Sequence, residues 1–162
     1  MFEIIVARDN NNGIGYDNNL LYHIPNDMKH FKETTKNSKV IMGKKTFESL
    51  PTHGLKDRTN IVLTKRKLPL YPNVIYCNDL EFLINSYINS KEKVYIIGGS
   101  QIYKLFLPYT KYLNITQIDN NKQADTFFDF NKDEFILESS EKHEDDGLKY
   151  SFDYYKRKTS LI

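Results

Sequence analysis

Apolar and polar positions along the chain follow two rhythms. Residues 2–7 form a short apolar run, interrupted at Glu3, the pattern of a strand buried on both faces. Further strands are expected at 39–43, 59–64, 74–76 and 94–97, and residues 112–118 alternate as a strand. Between them lie helical stretches: one beginning at Pro25, one over 44–50 ended by Pro51 and Gly54, one over 80–87 opened by Asp79 as a cap, and one over 100–107. Residues 135–139 and 150–155 read as a closing antiparallel pair. Strands alternating with helices predict an α/β sheet that is parallel at its centre. Residues 9–23 hold Asn, Asp and Gly13-Ile14-Gly15 without clear periodicity; they read as a loop, of a length that is usually functional or mobile. No repeat and no Pro-, Gly- or Ser-rich linker divides residues 1–162, so a single domain is expected.

One acid breaks the rhythm. Pro25 suits the first turn of a helix, where a missing N–H costs little. At about 100° per residue, Ile24, Met28, Phe31 and Thr35 share one stripe, and Asp27 falls inside it. An acid in a first turn complements the helix dipole, worth about 0.3–1 kcal/mol, and on the local pattern alone that is the favoured reading. His30 lies off the stripe and reads as a surface histidine.

Composition narrows the function classes. The 162 residues are 40% hydrophobic and 27% charged, with 12 Tyr, 10 Phe and no Trp, ordinary values for a soluble globular chain with a real core. A net charge of +2 gives no reason to expect a nucleic-acid surface. The basic cluster Lys156-Arg157-Lys158 reads as a solvated end, and the acidic stretch 141–146 as a solvated turn with Gly147. Cys77 is alone, which excludes an internal disulfide and suits an intracellular setting. The N-terminal apolar run is too short and too charged for a signal peptide, and no later stretch approaches a membrane span, so a cytoplasmic protein is expected. His23, His30, His53 and His143 lack metal-ligand spacing, and no Gly-x-Ser-x-Gly elbow occurs.

Three strand ends carry the remaining chemistry. Val94-Tyr95-Ile96-Ile97 runs into Gly98-Gly99 and then Ser100-Gln101-Ile102-Tyr103, where glycines allow close backbone approach and free helix N–H groups attract a phosphate. Val40-Ile41-Met42-Gly43 runs into Lys44-Lys45-Thr46, cations that the macrodipole disfavours unless something anionic docks. Ile61-Val62-Leu63 leads into Thr64-Lys65-Arg66. Each has a bland alternative, a tight turn or solvated lysines. Together, at the ends of α/β strands, they favour a phosphate-rich cofactor.

Taken in order, these segments resemble the dihydrofolate reductase family. The resemblance is carried by Ile5-Val6-Ala7, Gly13-Ile14-Gly15, Asn18 with Leu20, and Pro25-Asn26-Asp27-Met28. It continues through Val40 to Ser49, Arg58, Ile97-Gly98-Gly99 with Tyr103, Thr116, and Ala124-Asp125-Thr126. It implies an eight-stranded, mostly parallel sheet with an antiparallel C-terminal strand and about four flanking helices. It also implies NADPH-dependent reduction of 7,8-dihydrofolate to tetrahydrofolate, with binding of antifolate-type ligands, by a cytoplasmic monomer that engages neither nucleic acid nor membrane.

By the same resemblance, Asp27 holds the pterin's 2-amino group and N3 by charge-assisted hydrogen bonds, and Thr116 holds Asp27. Leu20 and Tyr22 belong to the loop over the reacting atoms. Ile5, Met28, Phe31, Lys32, Leu50, Leu55, Ile97 and Tyr103 complete the substrate side, with Arg58 clamping the glutamate carboxylate. Ala7, Ile14, Gly15 and Asn18 line the nicotinamide. Gly43, Lys44, Lys45, Thr46, Leu63, Thr64 and Lys65, with Gly98, Gly99, Ser100, Gln101, Ile102 and Tyr103, surround the phosphates and the remainder of the cofactor. No metal is implied. The chain departs from the family where Leu20-Leu21-Tyr22 replaces the usual Leu-Pro-Trp and where Lys44 replaces a frequent arginine. The rival readings are a riboflavin-pathway pyrimidine reductase on the same architecture and a dinucleotide-binding module without catalysis.

Overall fold

The computed structural model describes residues 1–159. Along them run β1 (Phe2–Arg8), β2 (Gly13–Tyr16), β3 (Asn19–Leu20), α1 (Pro25–Thr35), β4 (Lys39–Gly43) and α2 (Lys44–Ser49). Then come β5 (Thr59–Leu63), β6 (Val74–Cys77), α3 (Leu80–Tyr87), β7 (Val94–Ile96) and α4 (Ser100–Phe106). β8 (Thr110–Ile118), β9 (Thr126–Phe127), β10 (Phe135–Asp145) and β11 (Leu148–Arg157) complete the chain.

Eight of these strands form one sheet in the order β10-β11-β8-β1-β7-β4-β5-β6. The pairings from β8 through β6 are parallel, and β11 enters antiparallel against β8. β1 lies inside, paired to β7 through Ile4↔Ile96 and to β8 through Ala7↔Thr116. Its unbroken apolar run follows from that position, because successive side chains point to opposite faces. Phe2, Ile4 and Val6 join Ile41, Ile96, Phe106, Leu113 and Ile115 on one face. Ile5 joins Val40, Met42, Phe47, Val62 and Tyr95 on the other. α1 starts without a side-chain cap, its N-terminus set by extended Ile24 and by Pro25, whereas Asp79 caps α3 by accepting from Phe82 N–H at 3.0 Å. Among the described residues no helix is long and apolar enough to cross a membrane.

Four local expectations are corrected. Residues 9–23 are not simply loop: β2 pairs with β3 and with β9 in a small second sheet, ordered β3-β2-β9. These strands are two to four residues long and their register shifts between Gly13 and Gly15, so no two-residue alternation develops. The acidic stretch 141–146 is mostly strand, because the C-terminal hairpin extends to the pair Asp145↔Leu148 and turns only at Asp146-Gly147. Arg157 is not a solvated end. Its Nε donates to Thr110 O at 2.8 Å and its Nη2 to Leu107 O at 2.7 Å, and its guanidinium lies 4.6 Å from the Phe135 ring centroid. His30 is half-buried, stacked on Phe152 with ring centroids 3.9 Å apart, since β11 passes beside α1.

Candidate active site

α1 delivers Asp27 in its first turn, and β8 delivers Thr116 opposite it. The Thr116 hydroxyl donates to Asp27 Oδ1 at 2.5 Å. Among the described residues the other carboxylate oxygen, Oδ2, has no hydrogen-bond donor. Burial raises the Asp27 pKa above its ordinary value; the Thr116 hydrogen bond and the His30 charge pull it back in part. The result is a half-buried acid that can receive a second donor, the arrangement needed to grip an amino-heterocycle.

Most of the apolar residues expected on the substrate side share one cluster. Ile5 is buried, and Phe31, Leu50, Leu55 and Ile97 pack against the same cluster. Met28 remains 53% exposed despite its place in the stripe, and Lys32 is exposed. Tyr103 is buried and donates its hydroxyl to Ile5 O at 2.9 Å, tying together two residues expected on the substrate side. Arg58 is only 8% exposed and is held in place: Nε donates to Lys56 O at 2.8 Å and Nη1 to Thr35 Oγ1 at 3.1 Å, while the guanidinium stands 6.0 Å from the Phe31 ring centroid. Three groups thus orient one cation before any ligand arrives.

The residues expected around the phosphates lie where the neighbouring strands β4, β5 and β7 end. Gly43 N–H donates to Gly98 O at 2.9 Å, bringing two strand ends together. A Cβ on Gly43 would lie 3.0 Å from Ile102 Cγ1, so only glycine lets α4 approach so closely. Ile102 is accordingly a buried packing residue. Neither α2 nor α4 has a side-chain cap, so their first N–H groups are free to bind an anion. Thr46 and Ser100 are half-buried beside these helix starts, and Lys45, Lys65 and Gln101 are exposed. Lys44 pairs with Glu48 at 2.7 Å across one helical turn, and Thr64 Oγ1 accepts from Arg66 N–H at 3.2 Å. Two uncapped helix starts with hydroxyl and ammonium donors fit a pyrophosphate and a further phosphate. Ala7, Ile14 and Leu63 are half-buried, Gly15 is buried and Asn18 is exposed.

The segment bearing Leu20 and Tyr22 adds a feature that sequence reasoning missed. Leu20 is 81% exposed. The Tyr22 hydroxyl does not turn toward Asp27; it donates to Asp9 Oδ2 at 3.1 Å. The fully buried Asp9 and the exposed Lys122, whose Nζ donates to Leu21 O at 2.9 Å, were not among the expected site residues. Only the Asp9-to-Gly13 spacing, a carboxylate four residues ahead of a glycine N–H, could have hinted at such a tie. Gly13 is required for another reason: a Cβ there would lie 2.8 Å from Ala124 Cβ.

Comparisons with known proteins point to one family. A family model described as dihydrofolate reductase matches residues 1–158. The dihydrofolate reductase of Haemophilus influenzae is 39% identical over 86% of this chain and 86% of its own length. That of Bacillus subtilis is 35% identical over 99% of this chain and 96% of its own. Among solved structures, dihydrofolate reductase from Enterococcus faecalis complexed with NADP(H) and RAB-propyl superposes with a TM-score of 0.88 at 28% identity, covering 98% of this chain and 97% of that one.

Proposed function

The chain belongs to the dihydrofolate reductase family and is an NADPH-dependent oxidoreductase that reduces dihydrofolate, and from that premise we propose that Asp27 is the acid that grips and polarises the pterin ring. The observation that carries this reading is the Thr116–Asp27 hydrogen bond at 2.5 Å, which leaves Oδ2 open to the ligand. Bound through its 2-amino group and N3, the pterin gains negative charge density from Asp27 that favours protonation at N5. NADPH, when bound, supplies the hydride that goes to C6.

The residues do the rest by alignment. Ile5, Phe31, Leu50, Leu55 and Ile97 wall the ring and benzoyl group, with Met28 covering the exposed side. Arg58, already oriented by Thr35, Lys56 and Phe31, presents its remaining donors to the glutamate α-carboxylate, with Lys32 nearby. Ala7, Ile14, Gly15 and Asn18 flank the nicotinamide. The starts of α2 and α4 hold the pyrophosphate, and Lys44, Thr64 and Lys65 the 2′-phosphate. A cytoplasmic monomer acting on small ligands, with no nucleic-acid or membrane partner, accords with the lone Cys77 and the net charge of +2. The relatives favour folate over the pyrimidine-reductase alternative, and their shared activity disfavours a silent dinucleotide module.

The test is the fall in NADPH absorbance on adding dihydrofolate, repeated with a pyrimidine substrate and with NADH. Asp27→Asn is expected to keep NADPH affinity and to lower turnover roughly tenfold to a thousandfold at neutral pH, with the deficit shrinking in acid as solvent protons replace the lost assistance. Turnover at the unaltered rate in this variant refutes the assignment.

A further inference from the structure

Asp9 has no exposed surface, and four donors converge on it. Oδ1 accepts from the N–H groups of Asn11 at 3.1 Å and Gly13 at 3.0 Å. Oδ2 accepts from the Lys122 main-chain N–H at 3.1 Å and from the Tyr22 hydroxyl at 3.1 Å. The donors come from both flanks of the β2–β3 segment and from the stretch that leads into β9. Nothing in the gripping of the pterin by Asp27 calls for this second enclosed acid.

Tyr22 is constrained from its other sides as well. Its ring packs in the cluster formed by Ile24, Ile118 and Tyr150, together with Ala7. Lys122 Nζ stands 4.5 Å from the ring centroid while donating to Leu21 O. Burial first, and the Asp9 hydrogen bond second, push the hydroxyl pKa up to about 12, so it stays a donor throughout the physiological range. Between Asp9 and Tyr22 hang Ile14, Gly15 and Asn18, assigned above to the nicotinamide side, and Leu20.

We propose that Asp9 and Tyr22 act as a positioning pair for hydride transfer, the hydroxyl–carboxylate bond closing the 9–22 segment into a latch that sets β2 and β3 against the nicotinamide. The proposal rests on the reductase reading above and concerns only how the rings are brought to reacting distance. An error of about 1 Å in that approach is enough to cost a hundredfold in rate. Dihydrofolate is held elsewhere, by Asp27 and Arg58, so its KM is insulated from the latch.

Stopped-flow single turnover with NADPH and deuterated NADPH tests the pair. Tyr22→Phe keeps the ring and its packing and deletes only the hydroxyl. Asp9→Asn keeps the shape but offers one acceptor oxygen to four donors. Tyr22→Phe is expected to slow hydride transfer at least roughly threefold and to raise the isotope effect on kcat, with the KM for dihydrofolate within about twofold of the unaltered chain. Asp9→Asn should show the same split between kcat and KM, and the double variant should be no slower than Asp9→Asn alone. A purely structural contact would lower the melting temperature without moving the isotope effect. Hydride transfer slowed less than threefold in Tyr22→Phe overturns the latch, as does a double variant whose loss is the product of the single losses; if Asp9→Asn does not fold, Tyr22→Phe alone decides. Failure of the reductase reading itself looks different, because then the unaltered chain leaves NADPH unoxidised when dihydrofolate is added.

Discussion

At Asp27 burial of an ionisable group works against stability. Burial raises its pKa, and the Thr116 bond and His30 charge offset only part of that. A folded-state pKa above the unfolded one means that the ionised form is disfavoured by folding. The cost is complete above the folded pKa, shrinks as pH falls through it, and is gone below the ordinary value of 3.8, where the group is protonated in both states. Asp27→Asn is therefore expected to raise the melting temperature of the ligand-free chain at neutral pH, with the gain fading as the pH is lowered. A gain that persists undiminished in acid would show that the cause is packing rather than charge. Asp27 was legible in the sequence because it interrupts a helical stripe, a purely local irregularity. Asp9 sits in an Asn-rich stretch where a carboxylate looks like any loop residue, and Tyr22 could be read only as an aromatic with a polar tip.

At the scale of elements, three parallel strand ends carry the groups proposed to bind the cofactor. β4, β5 and β7 are neighbours in the sheet, so their C-terminal ends bring Lys44, Thr64 and Gly98-Gly99 to one rim. The Lys44–Glu48 pair does not obstruct this. Both side chains are partly exposed, and such pairs contribute only about 0–1 kcal/mol, so Lys44 can leave Glu48 for a phosphate at little cost. Replacing Lys44 and Lys65 together by Gln is expected to weaken NADPH binding roughly tenfold or more, as the loss of hydrogen bonds between charged groups implies, and to leave NADH binding nearly unchanged. Fluorescence titration of both cofactors checks this; equal losses would remove these lysines from the 2′-phosphate. The central strands and all four helices follow from patterning, the strands because they bury consecutive side chains and the helices because Pro25, Asp79, Pro51 and the glycines mark their ends. β2, β3 and β9 escape it. Their few residues are ordered by pairing with one another, β2 with the adjacent β3 and with β9 far along the chain, not by any alternation of their own.

Across the whole molecule, β1 runs through the middle of the sheet with Ile5 on one face and Phe2, Ile4 and Val6 on the other. The same strand continues into Asp9, so the core and the latch are one continuous piece of chain. Arg157 ties the end of β11 to the turn before β8, completing the sheet on the side that carries Thr116. A cofactor that binds only this assembled form must stabilise all of it. NADPH at a hundred times its Kd is expected to add about 2.7 kcal/mol, a rise of roughly 5–10 °C in melting temperature for a chain of this size. Scanning calorimetry with and without NADPH measures the shift. An unchanged melting temperature at that saturation would show that the unfolded chain binds the cofactor equally well.

Local patterning suffices for the order of the long elements, for the glycines, hydroxyls and cations at the ends of three strands and for the irregularity at Asp27, whose pocket role is implied only by the resemblance. Each depends on residues close together in the chain, whose period or clustering survives in one dimension. What three-dimensional packing alone decides is where the polar atoms point: Tyr22 onto Asp9, Lys122 onto both ends of that contact although it lies 113 positions from Asp9, Arg58 between Thr35 and Lys56, Arg157 back to the turn before β8. A hydrogen bond has a partner and a direction. Neither is encoded in the hydrophobicity of neighbours, and both come into being only when the sheet brings distant segments to within about three ångströms.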